Sequence, residues 1–315
     1  MTQETSKDSS RVRGVVTKAV GSSFNVLVDS RTITCFFRGR YRIQKGDGPE
    51  SSSATGIFPV VGDQVIVALT DESSGVIEEI LPRQTKLSRK EVELERDEQV
   101  LIANIQQMVI VSSVKLPALK TRVIDRFLIA AEKGELQPTI CVNKIDLASD
   151  ERYRQRLTPY LDLGYRVLLT SVPEKRGLDD LRECLTGRIS VLAGQSGVGK
   201  SSLLNALQKG LRLATREVST YSLKGKHATS HVELYPLDFG GFVADTPGLR
   251  LLGLWDIEKR DLASYFLEFE DCLGKCRFND CLHLSEPGCA VKEKLEEGKI
   301  HKSRYESYKR ILETL

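Results

Sequence analysis

The run Gly194-Gln195-Ser196-Gly197-Val198-Gly199-Lys200-Ser201 restricts what this chain can fold into more than any other stretch. It fits G-x-x-x-x-G-K-[ST], follows the apolar segment Ile189 to Ala193, and leads through Ser202 into the helical Leu203-Leu204-Asn205-Ala206-Leu207. Glycines let the backbone wind tightly enough for successive N–H groups to face phosphate oxygens, and the following helix adds its positive end. Lys200 is then placed to pair with β- and γ-phosphates and the Ser201 hydroxyl to ligate Mg²⁺. A glycine turn that binds nothing has no need of Lys followed by Ser, so a strand-loop-helix phosphate site is expected.

A second motif names the base. Asn143-Lys144-Ile145-Asp146 follows the apolar strand Thr139 to Val142, at the strand end where open α/β sheets bind ligands. A carboxylate at Asp146 accepts from both the N1–H and the exocyclic amine of guanine, whereas adenine offers neither donor there. Asn143 is expected to meet the other edge of the base and Lys144 to pack its stem over the ring. Alone, these residues are also ordinary turn formers. Two companions strengthen them: Thr170-Ser171-Val172 after a further strand is similar to the S-A-x loop that supports guanine, and Asp245-Thr246-Pro247-Gly248 fits D-x-P-G. Asp245 would hold Mg²⁺ through water, and the Gly248 N–H would meet the γ-phosphate. The order is rotated, because Asn143 and Ser171 precede Gly194. A circular permutation accounts for this without disturbing the site, since a sheet tolerates new termini at surface loops.

At 315 residues the chain exceeds one ordinary core, and its length favours two or three units. Residues 11–82 read as a small β-barrel from short strands at Gly14 to Val20, Ser23 to Val28, Thr32 to Phe37 and Gln64 to Ala68, with a generic SH3-like barrel as the rival. The tract Gly46 to Thr55, rich in Gly and Ser, reads as a loop. Residues 83–100 read as a charged linker. Residues 101–253 alternate strands (Met108 to Ser112, Thr139 to Val142, Arg166 to Thr170, Ile189 to Ala193) with helices at Arg122 to Lys133 and Ser201 to Gln208, the pattern of a mostly parallel sheet covered on both faces. Residues 254–315 read as helical at Ile257 to Phe269 and Ala290 to Leu315 around a Cys-rich loop. No apolar run approaches the roughly 20 residues of a membrane span, so a cytoplasmic location is expected; a monomer is expected as well. A formal charge of +3 with interspersed signs does not by itself indicate nucleic acid. In the tail, basic residues interleave with Tyr305 and Tyr308, a pattern that can meet RNA phosphate and base, although a solvated helix face is its commoner explanation.

Four of the seven cysteines cluster near the end of the chain. Cys276, Cys281, His283 and Cys289 give C-x4-C-x-H-x5-C, a tetrahedral set that leaves no open position, so a structural Zn²⁺ is expected. Cys272 stands close enough in sequence to compete.

The permuted motif order, Gly194 to Ser202, Lys224-Gly225-Lys226-His227-Ala228-Thr229-Ser230, Asp245 to Gly248 and the Cys-rich tail together resemble the bacterial ribosome small-subunit-dependent GTPase A family over nearly the whole chain. The resemblance implies an N-terminal OB-fold, a central α/β P-loop GTPase domain with circularly permuted motifs, and a C-terminal, mainly helical zinc domain that leaves Cys272 outside the ligand set. It implies binding of GTP and GDP, of the 30S subunit and of 16S rRNA, with hydrolysis stimulated late in subunit maturation. Lys224 to Ser230 is similar to the family's G-x-H-T-T-T switch, with Ala228 and Ser230 departing and Thr229 kept as the candidate Mg²⁺ and γ-phosphate sensor. Leu249 occupies the position where Ras-like enzymes carry a water-orienting glutamine. His227 is the candidate replacement, since an imidazole exchanges protons near neutral pH; a histidine that packs or meets RNA explains it as well. Two rivals follow from the residues: a GTP-dependent RNA-binding module with negligible turnover, and a metabolic P-loop kinase, which Asn143 to Asp146 disfavour.

Overall fold

The computed structural model describes residues 11–37, 58–90, 98–208, 232–245 and 257–315. Five strands open the chain: β1 (Arg11–Val20), β2 (Ser23–Val28), β3 (Arg31–Phe37), β4 (Gln64–Leu69) and β5 (Ser74–Ile80). Each alternates, so that Val16, Phe24, Val26, Ile33, Cys35, Val65, Val67 and Ile77 share one interior. The order β1-β2-β3-β5-β4, with β4 returning to β1, closes a five-stranded barrel, and its parallel β3–β5 pair fits the OB-fold. The expectation lacked β5, whose sequence SGVIEEI places its apolar residues between glycine and glutamates.

The tract expected as a linker is structured at both ends. Strands β6 (Lys86–Lys90) and β7 (Glu98–Ala103) pair antiparallel, and Leu87 and Ile102 enter the core of the next unit. High charge hid a two-stranded ribbon.

Strands β8 (Gln107–Ser113), β9 (Gln137–Asn143), β10 (Arg166–Leu169), β11 (Ile189–Ala193), β12 (Glu233–Pro236) and β13 (Phe242–Asp245) lie in the order β10-β9-β8-β11-β13-β12. All neighbours are parallel except β12–β13. Helices α1 (Thr121–Lys133), α2 (Arg152–Gln155) and α3 (Thr158–Asp162) belong to one face, α4 (Leu178–Leu185) and α5 (Lys200–Leu207) to the other. Met108, Ile110 and Val191 meet Ile124 and Leu128 of α1 on the first face, while Val109, Val111 and Leu192 meet Leu181 and Leu203 on the second. Apolar residues therefore face both sides of each strand, which is why these strands read as continuous apolar runs. Barrel and parallel sheet are continuous: β12 pairs with β1 at Lys18↔Glu233, and Lys18 Nζ meets Glu233 Oε2 at 2.9 Å.

The tail departs from the helix expected at Ile257 to Phe269. It forms two 3₁₀ segments, Leu262–Tyr265 and Leu267–Cys272, with Phe266 extended between them. Phe266 and Phe269 stack at 5.3 Å, an i, i+3 pairing that the threefold repeat of a 3₁₀ turn places on one side. The stretch Ala290 to Leu315 divides into α6 (Ala290–Glu296) and α7 (Lys302–Leu312), separated by Gly298 at φ 75°. Phe266, Phe269, Tyr308 and Ile311 make a core with Ile129 of α1. No described helix is long and apolar enough to cross a membrane.

Candidate nucleotide site and metal centre

The phosphate loop joins the end of β11 to the start of α5. Gly194 has φ 142°, and a Cβ added there would stand 2.1 Å from the Val111 carbonyl oxygen. Gly199 has φ 97°, and a Cβ there would stand 2.4 Å from Asn143 Nδ2. Two glycines are thus required by the approach of neighbouring strand ends as well as by dihedral angle. Lys200 Nζ donates to the carbonyls of Gly194 at 2.8 Å and Gln195 at 2.9 Å, which folds the ammonium back over the loop. Val198 is buried beneath it, Ser196 and Ser202 are exposed, and Ser201 is half-buried in the first helical turn.

The guanine motif is bonded to this loop. Asn143, 2% exposed, donates from Nδ2 to the Val198 carbonyl at 2.9 Å and accepts at Oδ1 from Thr170 Oγ1 at 3.1 Å. Its amide thus ties two loops together. Lys144 adopts the left-handed conformation at φ 60°, and its Nζ donates to the Gly197 carbonyl at 2.6 Å and to the Leu116 carbonyl. Asp146 Oδ1 accepts from Ser171 Oγ at 2.6 Å. Ser171 is itself fixed by two backbone bonds of 3.0 Å with Arg176, and Val172 packs against the core beneath α4 and α5. Ser171 engages one carboxylate oxygen of Asp146, and the carboxylate is the group that a guanine edge would meet. Asp245 closes β13, the parallel neighbour of β11, and so shares the loop edge of the sheet with Ser201. His227, Thr229, the whole of Lys224 to Ser230, and Gly248 lie outside the described residues.

Sequence reasoning missed Thr170's bond to Asn143 and the segment after β8, whose Leu116 carbonyl meets Lys144. No motif marks that segment. Its only signal is its place after a strand, at the edge of the sheet where ligands bind.

The tail brings Cys276, Cys281, His283 and Cys289 together, with ligand atoms within 4.8 Å of one another. His283 Nδ1 lies 3.5 Å from Cys276 Sγ, 3.5 Å from Cys281 Sγ and 3.3 Å from Cys289 Sγ, and Cys276 Sγ lies 3.9 Å from Cys289 Sγ. A tetrahedral zinc ion with ordinary bond lengths gives edges of about 3.5 to 3.8 Å, so the donor set fits one. Burial pushes the Cys281 thiol up to about 12 and lowers the His283 imidazole, keeping it neutral and able to ligate. A cation would supply what burial withholds, by favouring the thiolates. Tyr305 Oη donates to the His283 carbonyl at 2.6 Å and Tyr308 Oη to the Leu282 carbonyl at 3.0 Å. Glu286 accepts from the backbone N–H groups of Leu282, Leu284 and Ser285. Cys272 stands apart, its thiol directed to the Ala290 carbonyl at 3.7 Å.

The family model for the RsgA GTPase matches residues 80–255, and that for the RsgA N-terminal domain matches residues 13–77. The chain belongs to the RsgA GTPase family. As an RsgA-family member it is a GTP-hydrolysing enzyme. Curated relatives include the small ribosomal subunit biogenesis GTPase RsgA of Caldanaerobacter subterraneus subsp. tengcongensis, 38% identical and covering 96% of this chain and 95% of that protein. The protein of the same name from Geobacillus sp. WCH70 is 42% identical over 96% and 97%. Among solved structures, YjeQ from Thermotoga maritima matches with TM-score 0.78 and 37% identity over 97% of this chain and 98% of that one. YloQ, described as a circularly permuted GTPase, matches with TM-score 0.74 and 32% identity over 100% and 97%. The rotated motif order therefore has a counterpart in a solved circularly permuted GTPase, and the kinase reading falls.

Proposed function

We propose that this chain binds GTP at the bonded strand-end loops, associates in that form with the small ribosomal subunit through 16S rRNA, and hydrolyses GTP to GDP and phosphate late in subunit maturation. Hydrolysis then releases it. The observation that carries the reading is the joining of phosphate loop and guanine loop by Asn143 and Lys144. The relatives' name, small ribosomal subunit biogenesis GTPase, supports the choice of partner. In this reading a cytoplasmic monomer carries three units: residues 11–82 and 254–315 flank the GTPase unit 101–253, with 83–100 linking the first two.

Asp146 reads guanine through the two donors of its Watson–Crick edge, while the Lys144 stem covers the ring. Lys200 pairs with the β- and γ-phosphates, and the Gly248 N–H meets the γ-phosphate. Ser201, Thr229 and Asp245 would hold Mg²⁺, which supplies charge neutralisation across the phosphate oxygens. Cys276, Cys281, His283 and Cys289 would hold one structural Zn²⁺. His227 orients the attacking water in place of the glutamine that Leu249 replaces.

The test is single-turnover GTP hydrolysis with and without 30S subunits. Wild type is expected to be stimulated, and His227→Ala to keep its GTP affinity while losing about 100-fold in stimulated rate. Thr229→Ala should lose stimulation as well. Subunits that leave turnover unchanged, while GTP still controls association, would show that hydrolysis is not the physiological output.

A further inference from the structure

Between the two sites lies a buried cluster of charge that neither uses. Arg304 of α7 is 3% exposed. Its Nη1 donates to Asp125 Oδ1 of α1. Its Nε and Nη2 donate to Glu268 Oε1 and Oε2 at 2.6 and 3.1 Å. The guanidinium lies 4.8 Å from the Phe266 ring centroid and 5.4 Å from that of Tyr160. Tyr160 Oη donates to Asp125 Oδ1 at 2.6 Å and lies 3.2 Å from the Thr121 carbonyl oxygen, while Asp125 Oδ2 is buried with no partner. Apolar residues of similar volume often hold two helices together as firmly, so what the geometry of such a cluster adds is a defined orientation of α7 against α1.

That orientation reaches both sites. One residue on from Arg304, Tyr305 grips the His283 carbonyl, and Tyr308 follows on Leu282. On the other side the cluster holds Thr121 and Asp125, the first turns of α1, and the chain immediately before α1 is the segment 114–120. Ser113 Oγ donates to the Pro117 carbonyl at 2.8 Å. The Leu116 carbonyl receives Lys144 Nζ. Pro117 Cδ would lie 3.7 Å from a Cβ at Gly197. The segment thus bonds to the guanine motif through Leu116, runs beside the phosphate loop at Pro117, and at its far end joins the helical turn that Tyr160 and Arg304 hold at Thr121 and Asp125.

We infer that Arg304 is a positioning residue for guanine-nucleotide binding: by seating Asp125 and the start of α1 it sets the Leu116 carbonyl against Lys144, so that docking of the Cys/His module onto α1 tunes nucleotide affinity. This rests on the nucleotide site proposed above.

The test is calorimetric titration of GDP with Mg²⁺ into the full chain, as a mutant cycle. Arg304→Met should weaken GDP by about fivefold and Tyr160→Phe, which keeps the ring and removes only the hydroxyl, by about threefold, each with a wild-type far-ultraviolet circular dichroism spectrum. In a Lys144→Met background both effects should vanish, because the residue through which they act is gone. Unchanged GDP affinity in folded Tyr160→Phe overturns the inference, as does the same loss with and without Lys144, and Tyr160→Phe decides alone if Arg304→Met does not fold. If Lys144→Met itself leaves GDP affinity unchanged, the site reading fails and the inference with it.

Discussion

The nucleotide loops and the Cys/His loop are both assembled from short irregular segments, yet they are held by opposite means. The first hang from the ends of β8, β9, β10 and β11, strands buried on both faces, and cross-link through Asn143, Lys144 and Ser171. The second spans residues 276–289 with no strand beneath it among the described residues, held by backbone grips from Tyr305, Tyr308 and Glu286 and by four metal-type ligands. One site is preorganised by the sheet. The other has a donor set that a cation would complete, the usual means of holding a small core-poor segment.

Metal removal should break the symmetry of the two most strongly. Structural zinc in small domains contributes on the order of 10 kcal/mol, so chelation or Cys281→Ser should strip hydrogen-exchange protection from residues 257–315 while β8 to β11 keep theirs. Equal loss in both regions would show that the sheet does not stand by itself. Next in size, Asp146→Asn should weaken GTP by about 100-fold, since a charge-assisted double acceptor becomes a single acceptor facing a donor. The same variant should gain xanthine nucleotides, whose carbonyl takes the new N–H, with the fold intact by circular dichroism. Smallest, Ser171→Ala removes one hydrogen bond to Asp146 and should raise the GTP Kd by about fivefold, near 1 kcal/mol. A loss as large as that of Asp146→Asn would mean that the loop is not held by its backbone bonds to Arg176.

What the sequence revealed follows the same division. Glycines with a Lys-Ser pair, an Asn-Lys-x-Asp run and a Cys/His spacing are local patterns with local causes, so they were legible, as were strands such as Met108 to Ser112 that are apolar on both faces. Long-range partners left no local trace. Asn143 reads as a base contact, and the bridge its amide makes between Val198 and Thr170 is fixed by the neighbouring strands and leaves no trace in the sequence. Arg304 sits in a tail that reads as a solvated basic helix, and only the fold brings Asp125 and Glu268 to it. The helix expected at Ile257 to Phe269 gave way because Phe266 and Phe269 gain more by stacking inward from tight turns than from a continuous helix. In β5, two glutamates masked the alternation by which Gly75 and Ile77 face the barrel interior.

The most direct measurement is calorimetric titration of the folded, magnesium-supplied chain with GDP, GTP and ATP in parallel. Joined loops with Asp146 facing the base should take one GDP or GTP per chain, with ATP weaker by about 100-fold or more. Comparable affinity for ATP, or no heat from either guanine nucleotide, would contradict the convergence of these strand ends on a single guanine nucleotide.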